Sequence, residues 1–275
     1  MTDEIAPPAW RLPTGVNPSL WHYTHTPRLA AEEDEFFAGH ALHEADARAL
    51  STRFTSPGPL VDLGCGVGRH ALTFATRGFE VTAVDLSQAM LRVVGAKAEA
   101  AGVRLRRVRA NLCDLGSLPD GSFDYALSMF STLGMIRGDR PRRQAVRETF
   151  RVLRPGGRLA IHVHNLWLNL GDRYGRRWLL GYLPRELFRG GRPEPDDQRM
   201  IYRGIPDMEV HMFRWGKFRR LLTDAGFRVD EVLPIDAVTA KPIRFPRLLH
   251  PVRAGGWIVF ASKPGGKNVR TEETL

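Results

Sequence analysis

Between Pro59 and Leu233 the chain alternates short apolar runs with amphipathic ones. Leu60-Val61-Asp62-Leu63 predicts a strand, and Arg69 to Thr76 a helix with Ala71, Leu72 and Ala75 on one face. Gly78 stands where that helix needs a C-cap, and Phe79 to Val84 predicts a second strand. Ser87 then caps a helix whose Met90, Leu91, Val94 and Ala98 share a stripe, and Gly102 ends it. Val103 to Val108 predicts a third strand whose arginines suit a sheet edge, and Phe123 to Met129 a fourth. Pro141 opens a helix through Leu153. Pro155-Gly156-Gly157 then turns the chain into a fifth strand, Arg158 to His164. Strands alternating with helices imply βαβ units, a mainly parallel sheet and an α/β fold.

After Asn165 the rhythm breaks. Residues 166–197 are rich in Trp, Arg, Gly and Pro and predict an insertion. Met200 to Ile205 and Met208 to Phe213 predict a hairpin turning at Pro206-Asp207. A helix over Lys217 to Asp224, a sixth strand over Phe227 to Leu233 and a last strand over Trp257 to Ser262 complete the pattern. A single helix is expected from Leu29 to Leu50, and a mobile tail from Lys263 onward. The expected organisation is an N-terminal extension or lid over 1–54, a domain over 55–265 with a cap insertion at about 166–213, and a tail over 266–275.

Composition narrows the class. With 43% hydrophobic and 25% charged residues, the 275-residue chain is expected to fold into a globule. No apolar run approaches the ~18 residues of a membrane span. The N-terminus lacks the charge and apolar pattern of a secretory signal, so a cytoplasmic protein is expected. Two cysteines, Cys65 and Cys113, exclude a disulfide framework and a four-cysteine zinc site. The net charge of +10 invites a polyanion partner, but 35 arginines against 5 lysines are dispersed along the chain, as on a solvated basic surface.

The candidate chemistry lies at the carboxyl ends of the predicted strands, where open α/β sheets hold ligands. Val61-Asp62-Leu63-Gly64-Cys65-Gly66-Val67-Gly68-Arg69 ends a strand and opens a helix. Its spacing is G-x-G-x-G, not the G-x-G-x-x-G of dinucleotide sites, and Asp62 would repel a pyrophosphate while attracting a cation. Asp85, followed by Leu86, ends the second strand, where an acid can accept both hydroxyls of a ribose. Asn111 can accept from an adenine amino group, with the backbone N–H of Leu112 available to a ring nitrogen; an ordinary Asx turn is the other reading. Ser128 and Met129 end the fourth strand.

Through these residues the chain resembles the class I S-adenosylmethionine-dependent methyltransferases. The likeness rests on Val61 to Gly68, Asp85, Asn111-Leu112, Ser122-Phe123-Asp124 and Arg151 to Gly157. It covers roughly 55–165 strongly and 215–262 loosely. It implies a Rossmann-like seven-stranded sheet of order 3-2-1-4-5-7-6 with the last strand antiparallel and helices on both faces. It also implies S-adenosyl-L-methionine as cofactor, lying across the strand ends. Asp62, Gly64, Cys65, Gly66, Gly68, Asp85, Leu86, Asn111, Leu112, Ser128 and Met129 are the expected cofactor contacts. The chain departs from the family in lacking a tyrosine-aspartate pair in the segment Ala31 to Phe37.

Methyl transfer needs alignment and water exclusion more than a fixed base, and no metal is implied. His164, on the same strand face as His162, is a candidate base or substrate ligand, with a hydrogen-bonded structural histidine as the favoured reading. Trp10, Trp21, Tyr23, Trp167, Trp178, Tyr182 and Trp215 are candidates to wall an acceptor pocket or, alternatively, to pin the cap. The expected acceptor is a small molecule, methylated at O, N or C. An RNA acceptor stays open through Arg173, Arg176, Arg177 and Trp178, as does a non-catalytic cofactor-binding module. The sequence does not fix the oligomeric state.

Overall fold

A computed structural model describes residues 7–171, 173–188, 198–246 and 248–265. Seven strands form one sheet: β1 (Pro59–Leu63), β2 (Glu80–Asp85), β3 (Arg106–Arg109), β4 (Phe123–Ser128), β5 (Leu153–His164), β8 (Arg228–Ile235) and β9 (Gly256–Ser262). Their order is β3-β2-β1-β4-β5-β9-β8. The first five run parallel, and β9 lies antiparallel to both β5 and β8. That is the sheet expected from the sequence. Central strands are apolar on both faces (β9 is buried throughout), as a sheet covered on two sides requires. The covering helices include α5 (Arg69–Thr76), α6 (Gln88–Ala100), α7 (Asp139–Val152) and α9 (Trp215–Asp224).

Four expectations need correction. The single helix over Leu29 to Leu50 is instead α2 (Pro27–Ala31), α3 (Glu33–Phe36) and α4 (Ala41–Ser51), preceded by α1 (Pro18–His25). The break falls at Gly39, whose φ of 69° no right-handed helix contains. The third strand is shorter than Val103 to Val108, because only Arg106–Arg109 reach β2 at the sheet edge. The hairpin of β6 (Gln198–Tyr202) and β7 (Ile205–Val210) turns at Arg203-Gly204, both at positive φ, and not at Pro206-Asp207. Pro206 and Asp207 form a bulge inside β7, a place that tolerates a missing N–H. Lys263 does not begin a loose tail: its Nζ donates to the carbonyls of Phe150 and Leu153 at 2.9 and 2.7 Å. The expected tail over 266–275 and residues 189–197 of the insertion lie outside the described residues. What is described of that insertion is a 3-10 segment, Leu166–Gly171, and α8 (Arg173–Leu187).

The N-terminal helices are fixed to the sheet by a buried polar contact. Asp46 on α4 places Oδ1 2.8 Å from His162 Nδ1 on β5, and both side chains are fully buried. Removing one member strands the other without water, so Asp46→Ala is expected to cost about 3 kcal/mol, read as a lower denaturation midpoint in urea.

Candidate functional site

Each parallel strand delivers its last residues to one edge, and the N-terminal segment roofs that edge. The result is an open cleft enclosing about 1200 Å³ of empty space, its mouth included. Asp62, Gly64, Cys65, Gly66, Asp85, Leu86, Asn111, Leu112 and Met129 border it. Three expected residues do not. Gly68 packs under α6, where an added Cβ would come within 2.8 Å of Val94. Ser128 is buried in the sheet. His164 stands outside the cleft, its ring 6.2 Å from that of Phe130. Burial, with His162 beside it, pushes its imidazole down to about 3, so it stays neutral. The structure gives His164 no contact with the cleft from which to act as a base.

The glycine turn is tied to the neighbouring strand: the N–H groups of Gly64 and Cys65 both donate to Val84 O. Gly64 combines a φ of 74° with the close approach of Thr132, which a Cβ would strike. Gly66 differs. Its φ is 53°, but nothing lies within 4 Å of where a Cβ would stand, so its backbone faces open space. Gly66→Ala is therefore expected to cost only about 1 kcal/mol in stability. The added methyl would occupy ligand space, and at least about tenfold in adenosyl-ligand affinity should be lost. Thermal unfolding and calorimetric titration of the same sample separate the two effects.

Asp85 is aimed at this turn. Its Oδ2 accepts from Gly66 N at 2.9 Å and its Oδ1 from Ser87 N at 2.8 Å, leaving further lone pairs toward the cleft. Burial raises its carboxyl to about 6 against the pull of these N–H donors. Asp62 is buried deeper and reaches about 7. Its Oδ2 accepts from Ala71 N at 3.1 Å, so a strand residue serves a free N–H in the first turn of α5, whose N-cap is a glycine. Two buried carboxyls thus border the same space, with Asp85 adding to the rise at Asp62. Asn111 is partly committed: Oδ1 accepts from Cys113 N at 3.0 Å, the Asx turn, and Nδ2 donates to Thr14 O at 2.8 Å. One lone pair of Oδ1 remains. Burial raises both cysteine thiols, Cys113 to about 11, which leaves them as packing groups.

The roof was hardly legible in the sequence. Gly15, Val16, Leu20, Tyr23 and Thr24 descend onto the cleft, and Ser87 Oγ donates to Thr24 O. Asn17 caps α1 through Leu20 N and donates to the buried Glu209 on β7. Of the seven aromatics considered for the pocket wall, Tyr23 alone borders it. Trp10 is exposed, Trp21 stacks on His25, Trp178 stacks on Tyr182 beside Trp167, and Trp215 meets Trp257. The wall is built instead from Tyr23, Tyr202, His43 and Phe130. In place of a tyrosine-aspartate pair, Tyr23 donates to Glu33 at 3.2 Å and Arg203 closes on the same carboxylate.

Residues 60–157 match a protein family described as Methyltransferase domain. The chain is 36% identical over 108 residues to a demethylmenaquinone methyltransferase of Thermus thermophilus, covering 38% of this chain and 47% of that one. It is 34% identical over 132 residues to a malonyl-[acyl-carrier protein] O-methyltransferase of Salmonella typhimurium, covering 48% and 49%. The alignments span about half the length of the curated relatives that the chain matches. In fold it resembles a Burkholderia thailandensis 1,6-didemethyltoxoflavin-N1-methyltransferase solved with S-adenosylhomocysteine. That likeness has a TM-score of 0.59 at 18% identity, over 90% of this chain and 91% of that one.

Proposed function

We propose that this chain, whose residues 60–157 match a methyltransferase domain, is a class I S-adenosylmethionine-dependent methyltransferase that transfers the methyl group of S-adenosyl-L-methionine to an O, N or C nucleophile of a small molecule. The observation that carries the reading is the Asp85 carboxylate, bonded to Gly66 N at the foot of an open cleft. The residues fit the cofactor: Asp85 suits the ribose hydroxyls, while the remaining acceptor of Asn111 and the N–H of Leu112 suit adenine. Leu86 and Met129 offer apolar sides, and Asp62 suits the cationic end near Gly64 and Cys65. Gly68 and Ser128 support the cradle from behind.

When bound, this cofactor supplies an electrophilic methyl on a sulfonium, which a nucleophile displaces in line. The roof of Val16, Leu20 and Tyr23 excludes water from the cleft, and the Asp62 and Asp85 carboxylates favour the cationic ground state. Alignment is thus the main contribution of the chain, and no side chain is assigned the proton of the nucleophile. A small acceptor suits a cleft roofed by the N-terminal helices and bordered by Tyr202 of the β6–β7 hairpin.

Part of the arginine excess is spent inside the fold, while Arg173, Arg176 and Arg177 of α8 are exposed, so the choice between a small-molecule and an RNA acceptor falls to experiment. Arg142 is buried and donates to Ile136 O, Arg143 pairs with Asp139 and Asp224, and Arg151 with Glu148 and Asp120. Among the described residues, no helix is long and apolar enough to cross a membrane. The test is methyl transfer from labelled cofactor into metabolite and tRNA extracts. Label is expected in a small molecule. Label in RNA, falling steeply with salt, contradicts the acceptor class. Binding of S-adenosylhomocysteine with transfer to neither extract marks a non-catalytic module.

A further inference from the structure

One cation at the cleft has no partner. Arg69 opens α5, is half-buried and borders the cleft beside His43 and His70. Its charge is felt at His40, His70 and Glu33, which places it under the N-terminal helices and not out in solvent. Among the described residues its guanidinium makes no hydrogen bond and no ion pair. The two acids nearest in charge terms, Glu33 and Asp34, are each taken by another cation. Arg203 closes on Glu33, which also accepts from Tyr23, and Lys97 closes on Asp34. Arg203, which also lies 3.9 Å from Glu32, and Lys97 thus hold the nearest carboxylates, and the guanidinium left without an ion pair is the one that borders the cleft. Burying part of a guanidinium without a counter-charge is unfavourable unless a ligand supplies one.

A second observation lies alongside. Phe130 and Ser131 follow β4 with φ of 51° and 58°, two successive non-glycine residues in the left-handed region. Such a conformation costs about 1 kcal/mol or more per residue and persists only where the surroundings impose it. Here Ser131 N donates to His162 O and Gly134 N to Ser131 O, and the bend turns Phe130 into the cleft. Its ring gathers other rings: His43 at 4.3 Å, Phe37 at 5.2 Å and His40 at 5.3 Å between centroids. The Phe130 ring, with His43 tilted 52° beside it, thus borders the same cleft as a guanidinium that makes no ion pair.

We infer that the methyl acceptor is a planar, conjugated small molecule bearing a carboxylate, its face on Phe130, its edge toward the tilted His43 ring and its anionic group on Arg69. The inference rests on the methyltransferase reading and names its substrate class. An arginine fork matches a carboxylate bidentately, which a lysine does not reproduce. The cofactor carries a carboxylate too, on its amino-acid tail, so the test has to tell the two sources apart.

The test is calorimetric titration of the full chain at pH 8, saturated with S-adenosylhomocysteine. The probes are benzoate, cinnamate and indole-3-carboxylate, each beside its uncharged amide. At least one acid is expected to bind about tenfold or more tighter than its amide. Arg69→Gln should erase that preference while S-adenosylhomocysteine affinity stays within about twofold, and Arg69→Lys should restore only part of it. Phe130→Leu should weaken acid and amide alike, which separates the wall from the charge. Equal affinity of acid and amide across the panel, or no binding of either, overturns the inference. So does a tenfold loss of S-adenosylhomocysteine affinity in Arg69→Gln that its decarboxylated analogue does not share, which would give Arg69 to the cofactor tail. Failure of the wild-type chain to bind S-adenosylhomocysteine at all would instead defeat the methyltransferase reading beneath it.

Discussion

Asp85→Ala is expected to weaken S-adenosylhomocysteine binding about 100-fold, or about 3 kcal/mol, as two hydrogen bonds to a charged acceptor are lost. The substitution also strips Gly66 N and Ser87 N of their acceptor, so part of the effect is a loosened turn. Asp85→Asn separates the contributions. The amide keeps one oxygen for a backbone N–H and removes a carboxyl that burial already raises to about 6. The unfolding midpoint of Asp85→Asn at pH 8 should accordingly fall less than that of Asp85→Ala, because one of the two backbone N–H groups keeps its acceptor and no charge has to be desolvated. Its affinity should still drop about tenfold or more, since one acceptor becomes a donor. Calorimetry and thermal unfolding on the two variants read both quantities. Wild-type affinity in Asp85→Ala would remove this carboxylate from the site.

The second large effect is that of pH. Burial raises Asp62 to about 7 and Asp85 to about 6 in the ligand-free protein, against ordinary values near 4. Both folded-state values lie above the unfolded ones. The folded chain therefore holds protons that the unfolded chain has released, and the stability contribution is fullest below about pH 4. It is lost as pH rises through 6 and 7. Ligand binding has the opposite sign. A sulfonium or ammonium beside Asp62 and ribose donors on Asp85 favour the ionised carboxylates, so binding releases protons. Affinity for S-adenosylmethionine should climb about 100-fold from pH 5.5 to pH 8, with proton release detected as a buffer-dependent enthalpy. Asp62→Asn should flatten the upper part of that climb. A pH-independent affinity would show that the buried carboxyls do not face the ligand.

How much of this was legible in the sequence depends on whether a signal is local. Strand and helix alternation from Leu60 to His164 is periodic and close to its caps, so the parallel strands and the Gly64–Gly68 turn followed from pattern and chemistry, while the order of the seven strands followed from the family resemblance. Asp85 was legible because its position, ending a strand beside a glycine turn, carries its meaning. The N-terminal region was not. Its α2, α3 and α4 are short, and the apolar positions from Leu29 to Leu50 continue across the Gly39 break, which reads as one helix. Tyr202 and Phe130 enter the cleft through a hairpin turn and a left-handed bend, neither of which announces itself in side-chain pattern. The hairpin misleads because Pro206-Asp207 resembles a turn, whereas Arg203-Gly204 supplies the positive φ pair. His164 differs: a strand-end position suggested access, but the ring packs near Phe130 and is not among the residues that border the cleft. Arg69 was visible as the residue ending the glycine motif. Its isolation emerges only once Arg203 and Lys97 are seen to occupy Glu33 and Asp34.

The central claim is that the cleft above Gly66 holds an adenosyl ligand by its ribose, and a crystal structure of the chain with S-adenosylhomocysteine tests it most directly. Both ribose hydroxyls are expected within hydrogen-bond distance of the Asp85 carboxylate, with adenine between Leu86 and Leu112. Ligand density elsewhere, or a ribose turned away from Asp85, would contradict it.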